Sequence, residues 1–170
     1  MEAAAATRTK RAPRKPGTKA RAVTRHRRSR ARSAFRSADE MREVLDAALT
    51  AVNADRTSGS LLNATGLRLR LECPDLGVVL NLAASDRADS FIEWRFDDGF
   101  AWKPKLELKM DSEVANGWLQ GKESIPVAIA RGRVRNAGDA RCALLYLPAA
   151  KLIQDPYRRL VRRRYRHLAL

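Results

Sequence analysis

The chain has 170 residues, enough for one domain with a buried core and attached tails, and carries a formal charge of +15 at pH 7. That charge is uneven: residues 1–36 hold 13 Lys or Arg against one acid, residues 37–156 hold 15 against 18, and residues 157–170 hold six against none. A mildly acidic body between two basic ends argues against a dedicated nucleic-acid domain and leaves the tails an accessory attraction to some polyanion.

Residues 1–36 are rich in Arg, Lys, Ala and Ser, with Pro13 and Pro16 and only Val23 and Phe35 as large apolar groups, so the sequence predicts a disordered basic tail. Ser37 and Glu40 have the spacing of a capping box, and Met41, Val44, Leu45, Ala48, Leu49 and Val52 recur at three and four, predicting a helix to about Asp55. Arg56 to Ser60 read as a polar turn. Leu67, Leu69, Leu71 and Cys73 alternate with charged residues as a strand, and Pro74-Asp75 breaks it into a hairpin with Val78, Leu80 and Leu82. Residues 91–96 read as a third strand with Ile92, Trp94 and Phe96 on one face, and Asp97-Asp98-Gly99 as a turn. Leu106, Leu108 and Met110 give a fourth strand.

Asp111 reads as the N-cap of a short helix ending at Gly121, and Pro126 opens an apolar helical turn that ends at Gly132. Arg133 to Asn136 are extended, and Asp139 caps a leucine-rich helix carrying Leu144, Leu145 and Leu147. After Pro148 the helix resumes, and Pro156 marks a new start. There Tyr157, Leu160, Val161, Tyr165 and Leu168 share one side while Arg158, Arg159, Arg162, Arg163, Arg164 and Arg166 fill the rest. Such a helix either lies on an anionic membrane surface, with Arg158, Arg159, Arg162, Arg163 and Arg164 as the surface-binding groups, or docks on the body with a solvated arginine face. Strands and helices kept in separate runs predict an α+β domain over residues 37–156. Its single antiparallel-rich sheet has about five strands with helices on one face.

The ordered series Trp118-Leu119-Gln120-Gly121, Pro126 to Ala130, Gly132-Arg133-Val134 and Gly138-Asp139, ahead of Leu144 and Leu147, resembles the sterol-carrier-protein-type-two-like family of lipid-binding domains. The resemblance is clearest from Leu106 to Leu152 and extends back to Ser37. It implies an apolar cavity for a fatty acyl chain, sterol or similar lipid, enclosed between sheet and helices. On that basis the candidate ligand-binding residues are Ile92, Trp94, Phe96, Leu108, Met110, Trp118, Leu119, Val127, Leu144 and Leu147. Periodicity alone reads the same side chains as ordinary core.

Catalytic signatures are sparse. The two histidines, His26 and His167, lie in the basic ends, no nucleophile elbow or phosphate-cradling glycine loop occurs, and Asp97-Asp98 reads as a solvated turn. The sequence therefore predicts a non-catalytic carrier with no metal and no cofactor. Two alternatives stay open: a nucleic-acid-associated protein acting through residues 1–36, and an accessory subunit presenting a lipid to an enzyme. Cys73 and Cys142 have neither disulfide-framework nor zinc spacing. With no run of 18 apolar residues and no apolar segment near Met1, a soluble cytoplasmic protein is expected.

Overall fold

The computed structural model describes residues 33–97, 99 and 102–170. The predicted tail lies outside the described residues over 1–32, as do Asp98 and Phe100. Residues 33–36 belong to the body: Phe35 is buried in the core and the Ser33 hydroxyl lies 2.8 Å from that of Ser112.

Helix α1 (Ala38–Ala54) starts with the serine half of the capping box, while the glutamate bonds one residue before the N-cap. The Glu40 amide donates to Ser37 Oγ at 3.1 Å, while the Glu40 carboxylate reaches back to the Arg36 amide at 2.7 Å. All six periodic apolar residues of α1 are buried. The expected turn at Arg56 to Ser60 is instead the first part of a second helix, α2 (Arg56–Ala64). Asp55 decides this, because its carboxylate accepts from the amides of Thr57 and Ser58 at 3.3 Å, so a polar stretch becomes a capped helix that buries Leu62.

Five strands follow the predicted boundaries closely: β1 (Arg68–Cys73), β2 (Val78–Ala84), β3 (Ile92–Arg95), β4 (Leu106–Met110) and β5 (Val134–Gly138). They form one sheet in the order β3-β2-β1-β4-β5, antiparallel at every pairing except β1 with β4. Register aligns Trp94, Leu82, Leu69 and Leu106 in one row across four strands, which ends at Gly138. The inward leucines of β1 and β4 are buried while Glu107 and Lys109 face water, the alternation of a sheet with one covered face.

Between β4 and β5 stand α3 (Ser112–Leu119) and α4 (Ile125–Ala130). Asp111 holds the N-cap position of α3 without a side-chain bond. The cap comes from Asp75 in the β1–β2 turn, whose carboxylate accepts from the Ser112 amide at 2.9 Å and from its hydroxyl at 2.5 Å. Asp139 caps α5 (Ala140–Ala149), accepting from the Arg141 amide at 2.8 Å.

The last long helix, α6 (Lys151–Arg164), passes through Pro156 without breaking. Proline there lacks one backbone donor, but Pro156 and its neighbour Tyr157 are buried, and burying side chains of this size stabilises by about 1.5–3 kcal/mol each. Helix α6 packs along α1, and the chain closes through a 3-10 turn, Arg166–Leu168, whose Leu168 is fully buried.

Candidate functional site

Beneath α5 the interior does not close completely. A narrow cavity of about 20 Å3 remains, lined by Leu62 of α2, Leu67 just before β1, Leu69, Leu106 and Leu108 of the sheet, Trp118 of α3, Tyr146, Leu147 and Ala150 on and just past α5, and Ile153 of α6. This has room for roughly one water molecule, and the lining offers a water almost no polar partner. The Tyr146 hydroxyl is already engaged, donating to the Gly66 carbonyl at 2.9 Å. Burial and a hydrogen bond with Cys142 push its pKa up to about 12, so it stays a neutral donor. The arrangement has no acid–base pair at the cavity; what it offers is apolar contact area beneath a short helix tied down by one tyrosine.

The structure brings three of the ten candidate ligand-binding residues to this cavity: Leu108, Trp118 and Leu147. Met110, Leu119 and Ile92 are buried elsewhere in the core. Trp94 and Phe96 pack partly buried at the β3 edge, and the Trp94 indole donates to Asp46 Oδ1 of α1 at 2.9 Å, so the predicted inward face of β3 meets α1. Val127 and Leu144 stand at the surface, 44% and 78% exposed, a correction to their expected place inside. Val127 belongs to the short helix α4, whose buried residues are Ile125 and Ala128, and Leu144 lies on the side of α5 opposite Tyr146.

Seven lining residues were missed: Leu62, Leu67, Leu69, Leu106, Tyr146, Ala150 and Ile153. Leu67, Leu69 and Leu106 share the inward parity of Leu108, so their alternation held the signal; Leu62 was hidden by the misread turn.

The C-terminal arginines have a separate setting. Tyr157, Val161 and Leu168 turn the apolar side of the segment into the body, where it packs on α1 and α3, which favours docking over lying flat on a membrane. Arg158 is half-buried and pairs with Asp155, whereas Arg159, Arg162, Arg163 and Arg164 are exposed. Arg163, Arg164 and Arg166, with Arg36, rim a polar groove of about 670 Å3 beside the start of α1. Its acids are engaged: Asp39 with Arg42 at 2.7 Å, Glu40 with His167 Nε2 at 3.0 Å and Glu43 with the Tyr165 hydroxyl at 2.6 Å.

Between α3, α6 and the C-terminal turn lies a buried polar network. Asn116 Nδ2 and Gln120 Nε2 both donate to the Leu168 carbonyl, at 3.0 and 2.7 Å, while Asn116 Oδ1 accepts from Gln120 Nε2 and from the Tyr157 hydroxyl, each at 2.8 Å. Among the described residues no group of His, Cys, Asp and Glu is placed to hold a metal ion, and no helix is long and apolar enough to cross a membrane.

No protein-family model and no curated protein matches the chain. Solved structures do. A sterol carrier protein domain 2 from Helicoverpa armigera superposes with a TM-score of 0.49 at 13% identity, covering 66% of this chain and 87% of that one. A UbiJ-SCP2 ubiquinone synthesis protein gives 0.47 at 19%, covering 69% and 91%. A stereoselective inverting sec-alkylsulfatase from Pseudomonas gives 0.45 at 16% over 54% of this chain, which spans only 14% of that enzyme. At these scores and identities the similarity carries neither residue roles nor activity to this chain.

Proposed function

We propose that the chain binds a hydrophobic ligand of the acyl-lipid or sterol-like class beneath α5 and carries it without transforming it. The observation that supports this most is the cavity's lining: leucine, isoleucine, alanine and tryptophan on every side, with one tyrosine hydroxyl turned away to the backbone. Such a lining gains free energy from apolar area and has nothing to pair with a polar substrate.

At about 20 Å3 the cavity is too small for an acyl chain, which enters only as α5 moves outward from the Gly66 anchor. Pro148, inside α5, removes one helical hydrogen bond, and α5 gives way to α6 at Ala150, so the segment has a weak point for that movement. The exposed arginines at the end of α6 would raise the encounter rate with anionic surfaces, and the free thiols suit a reducing compartment such as the cytoplasm.

Trp118 provides the test, because it lines the cavity. Titrating the full chain with a fluorescent fatty acid should quench or shift tryptophan emission, and Trp118→Phe should remove most of that response. A chain that binds neither fatty acid nor sterol would sink the proposal. Binding that leaves Trp118 silent would move the site away from α5.

A further inference from the structure

Helix α5 is apolar on two sides. Its inner side is spent on Tyr146, on half-buried Cys142, Ala143 and Leu147, and on the cavity. Its outer side carries Arg141, Leu144, Leu145 and Pro148, all exposed, with Leu144 at 78% and Leu145 at 50%. A surface helix ordinarily places polar residues there. Single exposed leucines need no explanation; two adjacent ones at the centre of a helix that already buries its other side are less ordinary.

The charges around α5 decide what would cover it. Residues 121–170 hold 12 Lys or Arg against three acids, six of those cations standing at the C-terminal end of α6 and in the turn after it. Each of those acids is engaged: Glu123 with Arg133 at 2.6 Å, Asp139 with the Arg141 amide, and Asp155 with Arg158. Cations flank the helix at both ends. Arg141 lies on its first turn and Lys151 follows its last. Lys105 accepts the Asp139 amide on its own carbonyl at 2.9 Å, while its ammonium lies 3.4 Å from the Gly66 carbonyl that anchors Tyr146. A leucine ridge rimmed by cations is complementary to acyl chains beneath a layer of phosphate head groups.

We infer that the outer side of α5 is the face by which the chain docks on an anionic lipid surface, with Leu144 and Leu145 entering the interface and Arg141 and Lys151 among the head groups. The sequence pointed to α6 for this role, but the apolar side of α6 is buried against α1 and α3. The inference deepens the lipid-binding reading and rests on it for one consequence: the cavity beneath α5 would then face the bilayer directly.

The test is a polarity-sensitive dye at position 145 of the full chain, attached through Leu145→Cys with Cys142→Ser; Cys73 is fully buried and stays unlabelled. With phosphatidylcholine vesicles containing phosphatidylglycerol, the emission should shift to the blue and become shielded from an aqueous quencher. Vesicles of phosphatidylcholine alone should produce little change. The unlabelled Leu144→Ser/Leu145→Ser chain should partition about tenfold more weakly. If that labelled chain fails to fold, Arg141→Cys carries the dye on the same side.

Co-sedimentation with vesicles while the emission stays unshifted would mean that the basic ends alone hold the chain, overturning the inference. So would a shift that grows with protein concentration in the absence of vesicles, which would assign the face to a second copy. Fatty-acid binding by the unaltered chain in vesicle-free solution judges the lipid reading separately, since it can fail while the dye still shifts.

Discussion

The hydroxyl of Tyr157 on α6 donates to Asn116 Oδ1 on α3 at 2.8 Å, and both residues are completely buried. This bond fixes the rotation of α6 about its own axis. With Tyr157 held inward, the arginines at 159, 162 and 163 must point to water, so a buried polar contact orients the basic surface.

Removing the two partners should cost different amounts. Tyr157→Phe leaves Asn116 Oδ1 its second donor, Gln120 Nε2, and should destabilise by about 1 kcal/mol. Asn116→Leu strands the tyrosine hydroxyl and removes one of the two donors to the Leu168 carbonyl, and should cost about 3 kcal/mol or more. Urea unfolding of the two variants measures the difference, and equal midpoints would contradict it.

Gly138 and Gly132 separate two reasons for glycine. At Gly132, φ is +69° and the space a Cβ would fill is open, so Gly132→Ala should cost about 1 kcal/mol from backbone strain alone. At Gly138, φ is +106° and a Cβ would lie 2.3 Å from the Lys105 carbonyl oxygen. Gly138→Ala must push β5 off β4, and a loss of about 3 kcal/mol or more is expected by thermal or chemical unfolding.

Glu40 ties the start of α1 to His167, and its pH dependence has a definite sign. Burial alone would raise its pKa, but the hydrogen bond from the Arg36 amide and the contact with His167 outweigh that and lower it below 4.5. A carboxylate whose folded pKa is depressed stabilises the fold above its unfolded pKa, and the contribution is lost as pH falls through the lower folded value. The Tm of the wild-type chain should therefore fall more steeply below pH 4.5 than that of Glu40→Gln.

The two cysteines should react in sequence. Burial, reinforced by the charges of Asp75, Asp111 and Glu72, pushes the Cys73 thiol far up, so no thiolate is available in the folded chain. Cys142 is partly exposed on α5. A thiol reagent should label one cysteine in native protein and the second only at the rate of unfolding; two fast equivalents would show that β1 opens readily.

Most of the sheet was legible because period-two alternation states directly which residues face inward, as with Leu67 to Cys73 and Leu106 to Met110. The capping box at Ser37 and the cap at Asp139 were legible for a similar reason, since each acts within three residues. What escaped notice depends on partners distant in sequence. The parallel pairing of β1 with β4 brings Leu69 beside Leu106, and no local pattern distinguishes that from a meander. Asp75 capping α3 in place of Asp111 spans 37 residues. For the site, alternation marked the leucines as inward but could not say which end of the sheet they occupy. Nor could composition show which leucines of α5 turn outward, since that is set by Tyr146 reaching Gly66.

The strand order also leaves two edges, β3 and β5, each with a row of backbone groups able to pair with another chain. Both edges are short, of four and five residues, and both are charged: Glu93 and Arg95 stand exposed on β3, Arg135 on β5, with Arg133 just before it. Short length and charged side chains on both edges oppose continuous strand-to-strand growth into fibrils. The molecule can thus keep an apolar helix surface without also presenting a sticky sheet, and whatever association it undergoes is directed to side chains and away from the backbone.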